Sequence, residues 1–374
     1  MTQNRDREGA DTRPLADARG SVRMTARIAF LTSTPLDFAR GSGTFAGIST
    51  LARAAEGLGA EIAFFTPTAR LPVYTLERLW FNLQLRRVDF RAFDAVVGFD
   101  MDGWLVAGRH VASIKGVIAD EMLFERGLTR RTMAVQAACE RVHVRRAGTV
   151  ITTSRYAASR LVELYGLAAM PRIVPECIDL DAWRSLFRSF PSDTDTFVVL
   201  CVCRLYPRKR VGVLLEAAAR LRARIPELQV RIVGRGPEEE RLKQRARELG
   251  VEGMVRWLGD VSQAELARQY QACQVFCLPS VQEGFGIVFL EAMAAGKPIV
   301  AARAAAVPEV VTDGLLVEPE SAEALADAIA RLHSDAGLRR ALGEQGGRTV
   351  EQYDSRRVAA LFLEELAALT AASG

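Results

Sequence analysis

The sequence predicts an α/β protein built from two doubly wound, parallel-sheet domains. Three observations carry this prediction. The chain has 374 residues, too many for one ordinary hydrophobic core. Short apolar runs such as RIAFLT at 27–32, DAVVGF at 94–99 and FVVLCV at 197–202 alternate with longer stretches of helical period, the pattern of βαβ units. Residues 279–298, PSVQEGFGIVFLEAMAAGKP, follow the apolar run VFCL with a glycine turn and then a helix-forming stretch that Gly296 and Pro298 end. That succession is how open α/β sheets present backbone N–H groups to an anion. Glu283 lies before this helix and Glu291 inside it, so both are candidates to face a ligand at the helix start.

The elements follow in order. The first 23 residues are polar and charged, lack the apolar segment of a secretion signal, and read as a disordered tail. The strand at 27–32 runs into a turn with Gly41, Ser42 and Gly43, a helix from about 45 to 57, and a strand at 61–66. The glycine turn resembles a phosphate-approach loop, although its spacing is not the dinucleotide fingerprint and no acidic residue closes the second strand. Residues 71–93 carry Trp80, Phe81, Phe90 and Phe93 among Arg78, Arg86, Arg87 and Arg91. A helix packed on the sheet explains them most simply; an amphipathic helix lying on an anionic membrane is the sharper alternative. The strand at 94–99 ends in Asp100, Asp102 and Gly103, and a short strand at 115–118 ends in Ala119, Asp120 and Glu121. A helix at about 129–146 carries an arginine-rich solvated side, and a strand at 149–153 leads to Ser154 as the N-cap of the next helix.

The chain leaves the first domain, 24–178, near the stretch VPECID at 174–179. Residues 184–196 read as a polar connection within the second domain, 179–353, whose first strand begins at Phe197. Helices at 211–224, 237–249 and 263–271 alternate with strands at 228–233, 254–258 and 274–278. Beyond the glycine turn come strands at 298–301 and 314–317 and helices at 321–333 and 335–351. The final segment, 354–374, holds an amphipathic helix at about 354–371, where Leu361, Leu363, Leu366 and Leu369 can pack while Glu364 and Glu365 stay wet.

A formal net charge of +4 over this length does not describe a dedicated nucleic-acid binder, but allows an anionic ligand or a weak contact of the first domain with a membrane surface. No apolar run reaches the roughly 18 residues of a membrane span. The cysteines at 139, 177, 201, 203, 273 and 277 mostly fall in or beside apolar strands, and none of the three histidines is near them in sequence. Buried, reduced thiols of a cytoplasmic protein fit this better than a zinc site.

The decisive residues are RLYPRK at 204–209, VGRGPEEERL at 233–242, WLGDV at 257–261 and the stretch 279–300, in one order and at ordinary spacing. Together they resemble the donor-binding domain of the family 4 glycosyltransferases, retaining enzymes of GT-B architecture with two Rossmann-like domains facing across a cleft. Glu283 and Glu291 match that family's E-x7-E motif. The resemblance is close over most of 197–312 and loose over the first domain. It implies transfer of a sugar from a nucleotide-diphosphate donor, UDP first and GDP next, to a hydroxyl of a glycan, glycolipid or small molecule. It also implies that Arg204 and Lys209 neutralise the leaving phosphates and that Glu283 holds hydroxyls of the transferred sugar. Phe285, Gly286 and Ile287 present backbone to the sugar and phosphates, and Glu291 holds the ribose. Gly234 and Gly236 give the backbone access to the nucleotide, which Leu258 lines; Gly41 and Gly43 close from across the cleft, and the final helix crosses back to the first domain. No metal or other cofactor is implied, since the cations and the helix start can take the charge that builds on the leaving group. The implied place is the cytoplasm, with peripheral contact at the inner membrane face compatible with the first domain.

The chain departs from the family where many members carry His-Asp. Here that place holds Ala119-Asp120, so Asp120 or Glu121 is left to do part of the histidine's work or none. Pro175-Glu176-Cys177 replaces the family's Pro-Asn-Gly, and Ala304–Ala306 replaces its paired glycines. Other classes therefore stay open. One is another enzyme on this scaffold, such as an epimerase or a phosphorylase, the latter lacking a pyridoxal-phosphate lysine motif. Another is a nucleotide-sugar binder without turnover.

Overall fold

The computed structural model describes residues 26–34, 43–68, 71–190 and 196–371. The tail 1–23, Gly41 and Ser42 lie outside them. The first domain runs β1 (Arg27–Leu31), α1 (Gly43–Gly57), β2 (Glu61–Phe65), α2 (Tyr74–Leu85), β3 (Ala95–Phe99), β4 (Val111–Ile114), α3 (Ile118–Glu121), α4 (Gly127–Arg146), β5 (Thr149–Thr152), α5 (Arg155–Tyr165) and β6 (Arg172–Ile173). The second runs α6 (Leu180–Arg188), β7 (Phe197–Val202), α7 (Val211–Leu221), β8 (Leu228–Val233), α8 (Glu239–Glu248), β9 (Val255–Gly259), α9 (Gln263–Ala272), β10 (Val275–Leu278), α10 (Ile287–Ala294), β11 (Ile299–Ala302), α11 (Val307–Val310), β12 (Leu315–Val317), α12 (Ala322–Ser334) and α13 (Ala336–Thr349). Helix α14 (Ser355–Ala371) ends the described chain.

Each domain is a six-stranded sheet of parallel pairs, in the orders β2-β1-β3-β4-β5-β6 and β12-β11-β10-β7-β8-β9. Strand order reverses between β1 and β3 in the first sheet and between β7 and β10 in the second. Neighbouring crossovers leave to opposite faces there, which opens a crevice at the carboxyl ends of those strands. The central strands are mostly apolar because helices cover both faces; β7 is buried along its whole length.

Besides the short helices α3 and α11, which the sequence reading did not place, three elements differ from it. Residues 180–188 form a helix, not part of a polar connection. Asp179 caps it by accepting from the Ala182 N–H, and Leu180, Trp183 and Phe187 enter the second-domain core. Their spacing marks one helical face that the intervening polar residues conceal. The strand placed at 115–118 lies earlier, at 111–114, because the Lys115 N–H is taken by the Asp100 side chain at 2.9 Å instead of by a neighbouring strand. The two-residue β6 was not anticipated. Helix α2 packs Phe81 and Leu85 on the sheet and turns Leu76, Trp80 and Leu83 outward.

Helix α14 packs on α1 and carries Val358, Ala359, Phe362 and Leu366 into the first-domain core. Phe362 meets Phe30 of β1 edge to face at 5.9 Å. Phe362, rather than Leu361 or Leu363, is central; those two leucines are only partly buried. Glu364 is exposed, whereas Glu365 pairs with Arg172 at 2.7 Å. All six cysteines are buried and unbridged. Among the described residues no helix is long and apolar enough to cross a membrane.

Candidate active site in the interdomain cleft

The loops after β7 and β10 leave the second sheet at its reversal and meet. The first closes in a short 3-10 turn, Pro207–Lys209, and the second holds Glu283 to Gly286 ahead of α10. Gly286 has φ +94, a left-handed conformation that a side chain disfavours, and a Cβ there would lie 2.6 Å from the Phe289 ring. The turn brings Lys209 Nζ to 2.5 Å from Glu283 Oε1, with both side chains largely buried. Burial pushes the Glu283 carboxyl up, but Lys209 and Arg208 outweigh it and hold the group below its ordinary range.

Arg208, which the sequence reading passed over, lies beside this pair. Its Nη2 donates to Glu121 of the first domain at 3.1 Å, and its buried Nη1 has no hydrogen-bond partner among the described residues. Arg204 sits farther out, half-exposed and 3.7 Å from Asp260. Glu291 lies inside α10, buried, and accepts from the Tyr270 hydroxyl at 2.8 Å. Burial raises its carboxyl to about 7 against the pull of that hydrogen bond. Tyr270, fully buried on α9, was also missed, since nothing in sequence ties it to Glu291.

Gly234 and Gly236 make a close approach within the second domain. A Cβ on Gly234 would lie 2.0 Å from the Cys203 carbonyl oxygen, and one on Gly236 would lie 2.6 Å from the Leu205 N and O. The loop after β8 is thus laid directly on the loop after β7. Leu258 packs part-buried against the core. Phe285 is buried edge to face with Tyr353 at 5.4 Å. Ile287 opens α10, and its Cδ1 would lie 3.2 Å from a Cβ on Gly47 of α1. Gly43 begins α1, with open space where its Cβ would be.

The first domain closes on this loop. Thr153 Oγ1 and Ser154 Oγ donate to the Gly284 carbonyl at 3.1 and 2.7 Å, and Ser154 also caps α5 by accepting from the Ala157 N–H. A Cβ on Gly284 would lie 2.8 Å from the Lys115 carbonyl oxygen. Glu309 reaches across from α11 to accept from the Arg155 and Tyr156 N–H groups at 2.8 and 2.7 Å. Asp120 is engaged on both oxygens: by Arg160 at 2.7 Å, by the Tyr156 hydroxyl at 2.8 Å and by Gln282 Nε2 at 3.1 Å. Lys115 pairs with Glu176 at 3.1 Å, both buried, at the crossing between the domains. The contact between the domains therefore gathers a guanidinium nitrogen without a partner among the described residues, the Lys209 ammonium and the start of α10, a combination suited to a polyanion.

Residues 184–349 match the family model described as "Glycosyl transferases group 1". A GDP-mannose-dependent alpha-(1-6)-phosphatidylinositol monomannoside mannosyltransferase of Mycolicibacterium smegmatis is 34% identical over 216 residues, 54% of this chain and 56% of the relative. A D-inositol 3-phosphate glycosyltransferase of Kribbella flavida is 36% identical over 205 residues, 50% of this chain and 48% of the relative. The chain thus spans about half the length of the curated relatives it matches. Among solved structures, sucrose-phosphate synthase of Thermosynechococcus elongatus superposes with TM-score 0.79 at 22% identity, over 93% of this chain and 100% of that one. Anabaena Alr3699/HepE, solved with UDP and glucose, gives 0.67 at 19% identity, over 92% and 100%. These likenesses, with the two parallel sheets, establish the GT-B fold, and residues 184–349 are similar to the glycosyl transferases group 1 model.

Proposed function

We propose that the protein is a retaining glycosyltransferase of family 4, working without a metal on a nucleotide-diphosphate sugar and a hydroxyl acceptor. The observation that carries this is the Lys209–Glu283 pair at the strand reversal, beside Arg208 and the start of α10. As the donor's C1–O bond breaks, its electron pair goes to the β-phosphate oxygen. Lys209, Arg208 and the α10 N–H groups meet that charge, each charge-assisted hydrogen bond contributing about 1.5–3 kcal/mol. Arg204, nearer the rim, adds to the phosphate field. The acceptor oxygen bonds to C1 from the same face, and its proton passes to the departing phosphate. Glu283 holds a sugar hydroxyl while Lys209 bridges it to the phosphates, and Glu291 takes the ribose. Asp120 acts by holding Gln282 and α5 in place.

GDP-mannose joins the UDP-sugars as a first candidate, supported by the name of the mycolicibacterial relative. The outward apolar row of α2 beside Arg86 and Arg87 supports peripheral contact with an anionic membrane at the cytoplasmic face. A thermal-shift screen of UDP-, GDP- and ADP-sugars in chelator tests the donor reading. One nucleotide class should stabilise the protein and be released from its sugar with chelator present. Binding without release would leave a silent binder, and release only on adding magnesium or manganese would refute the metal-independent mechanism.

A further inference from the structure

The first sheet has its own strand reversal, between β1 and β3, and Asp100 is the first residue beyond β3 there. Its φ is +53, a left-handed conformation that favours glycine and that aspartate adopts only when held there. Three contacts hold it. The Asp100 N–H donates to the Ser113 carbonyl at 3.0 Å, the Lys115 N–H donates to Asp100 Oδ1 at 2.9 Å, and His143 Nδ1 lies 2.6 Å from the Asp100 carbonyl. A carbonyl only accepts, so Nδ1 carries the proton. Burial keeps the His143 ring neutral by lowering it to about 3. His143 is packed so closely that a Cβ on Gly98 or Gly103 would come within 2.8 or 2.7 Å of its Nε2.

This buttress leaves Asp100 Oδ2 with no hydrogen-bond partner among the described residues, whereas Asp102 is saturated. Asp102 accepts from the Ser33 N–H and hydroxyl, both at 2.6 Å, from Asn82 at 3.0 Å and from Arg78 at 3.4 Å. The two aspartates are therefore not a metal pair: one braces the fold and the other is left open. Lys115 ties the open one to the donor loop, since its N–H holds Asp100 while its carbonyl oxygen packs against Gly284. Three nearby cations are already committed: Arg78 to Asp102, Lys115 to Glu176, Arg160 to Asp120.

We propose that Asp100 is a specificity-determining residue for the acceptor. Its open carboxylate oxygen accepts a hydrogen bond from an acceptor hydroxyl, and the acceptor is a polyol uncharged at that end. A phosphate beside that hydroxyl would face the Asp100 carboxylate, with Arg78, Lys115 and Arg160 already paired. This rests on the glycosyltransferase reading, and the test separates the two. Asp100→Asn keeps an acceptor for the Lys115 N–H and tolerates the left-handed backbone. Its melting temperature should equal or exceed that of the wild type; a fall of several degrees would make the carboxylate structural and overturn the proposal.

With a nucleotide-sugar that the wild type binds, myo-inositol should accelerate nucleotide release more than D-inositol 3-phosphate does. In the variant that acceleration should drop at least tenfold with donor affinity unchanged. Preference for the phosphate ester, no response to either probe, or equal acceleration in the variant would overturn the proposal. Failure of the wild type to bind any nucleotide-sugar would instead sink the donor reading and with it the acceptor role built on it, while a lowered melting temperature would overturn the role of Asp100 on its own.

Discussion

Lys209→Met is the most informative single change. The Lys209–Glu283 contact is 2.5 Å long, and the two side chains retain only 11% and 8% exposure. Removing the cation strands a buried carboxylate, which in such pairs costs about 3–5 kcal/mol. Arg208 still faces Glu283 and draws its carboxyl down, so the expected loss is at the low end, about 3 kcal/mol. That is a large part of the 5–15 kcal/mol typical of a domain, yet leaves a folded protein. Lys209→Met/Glu283→Gln removes both charges and should return to within about 1 kcal/mol of the wild type. Nucleotide binding should behave differently. Loss of one charge-assisted hydrogen bond, about 1.5–3 kcal/mol, weakens affinity roughly 10- to 150-fold, and the double variant should not regain it. Urea unfolding of wild type, both single variants and the double, with calorimetric titration of the preferred nucleoside diphosphate, measures both quantities. Additive stability effects would refute the buried-pair reasoning. Recovered affinity in the double variant would show that Lys209 serves only Glu283 and not the phosphates.

Two further outcomes are expected. The Glu291 carboxyl is raised from 4.5 to about 7, so between those values the folded protein binds the extra proton and stability falls as pH rises. The loss through that window is about 3 kcal/mol, and Glu291→Gln should flatten this part of the slope in urea titrations at pH 5 and 8; an unchanged slope would mean Glu291 ionises normally. On the first domain, Trp80→Ser with Leu83→Ser should abolish co-sedimentation with phosphatidylglycerol vesicles and leave nucleotide affinity intact. Wild-type protein that fails to sediment at low salt would end the membrane reading.

Much of the fold was legible because its signals are local. Apolar strands such as FVVLCV and the Gly296 stop need only neighbouring residues to be read, and α5 begins where Ser154 places it. Reading failed where a distant group decides. The Asp100 side chain ends β4 by taking the Lys115 N–H from 15 residues away. Helix α6 escaped because Trp183 and Phe187 gain their meaning only against Tyr270. The site divides the same way. RLYPRK announces cations, but the 3-10 turn decides that Lys209 and Arg208 face inward while Arg204 stays half-exposed. Glu309 on the start of α5 and Gln282 on Asp120 join residues more than 150 positions apart, and no spacing rule reports such pairs.

The central claim is that the cleft transfers a sugar with its anomeric configuration kept. The most direct test is proton NMR of a reaction begun with an α-configured nucleotide-sugar in chelator, following the anomeric signal of the product as it first appears. The account predicts an α-linked or α-anomeric product released together with the nucleoside diphosphate. A β product forming first, or a donor left intact while bound, would contradict it.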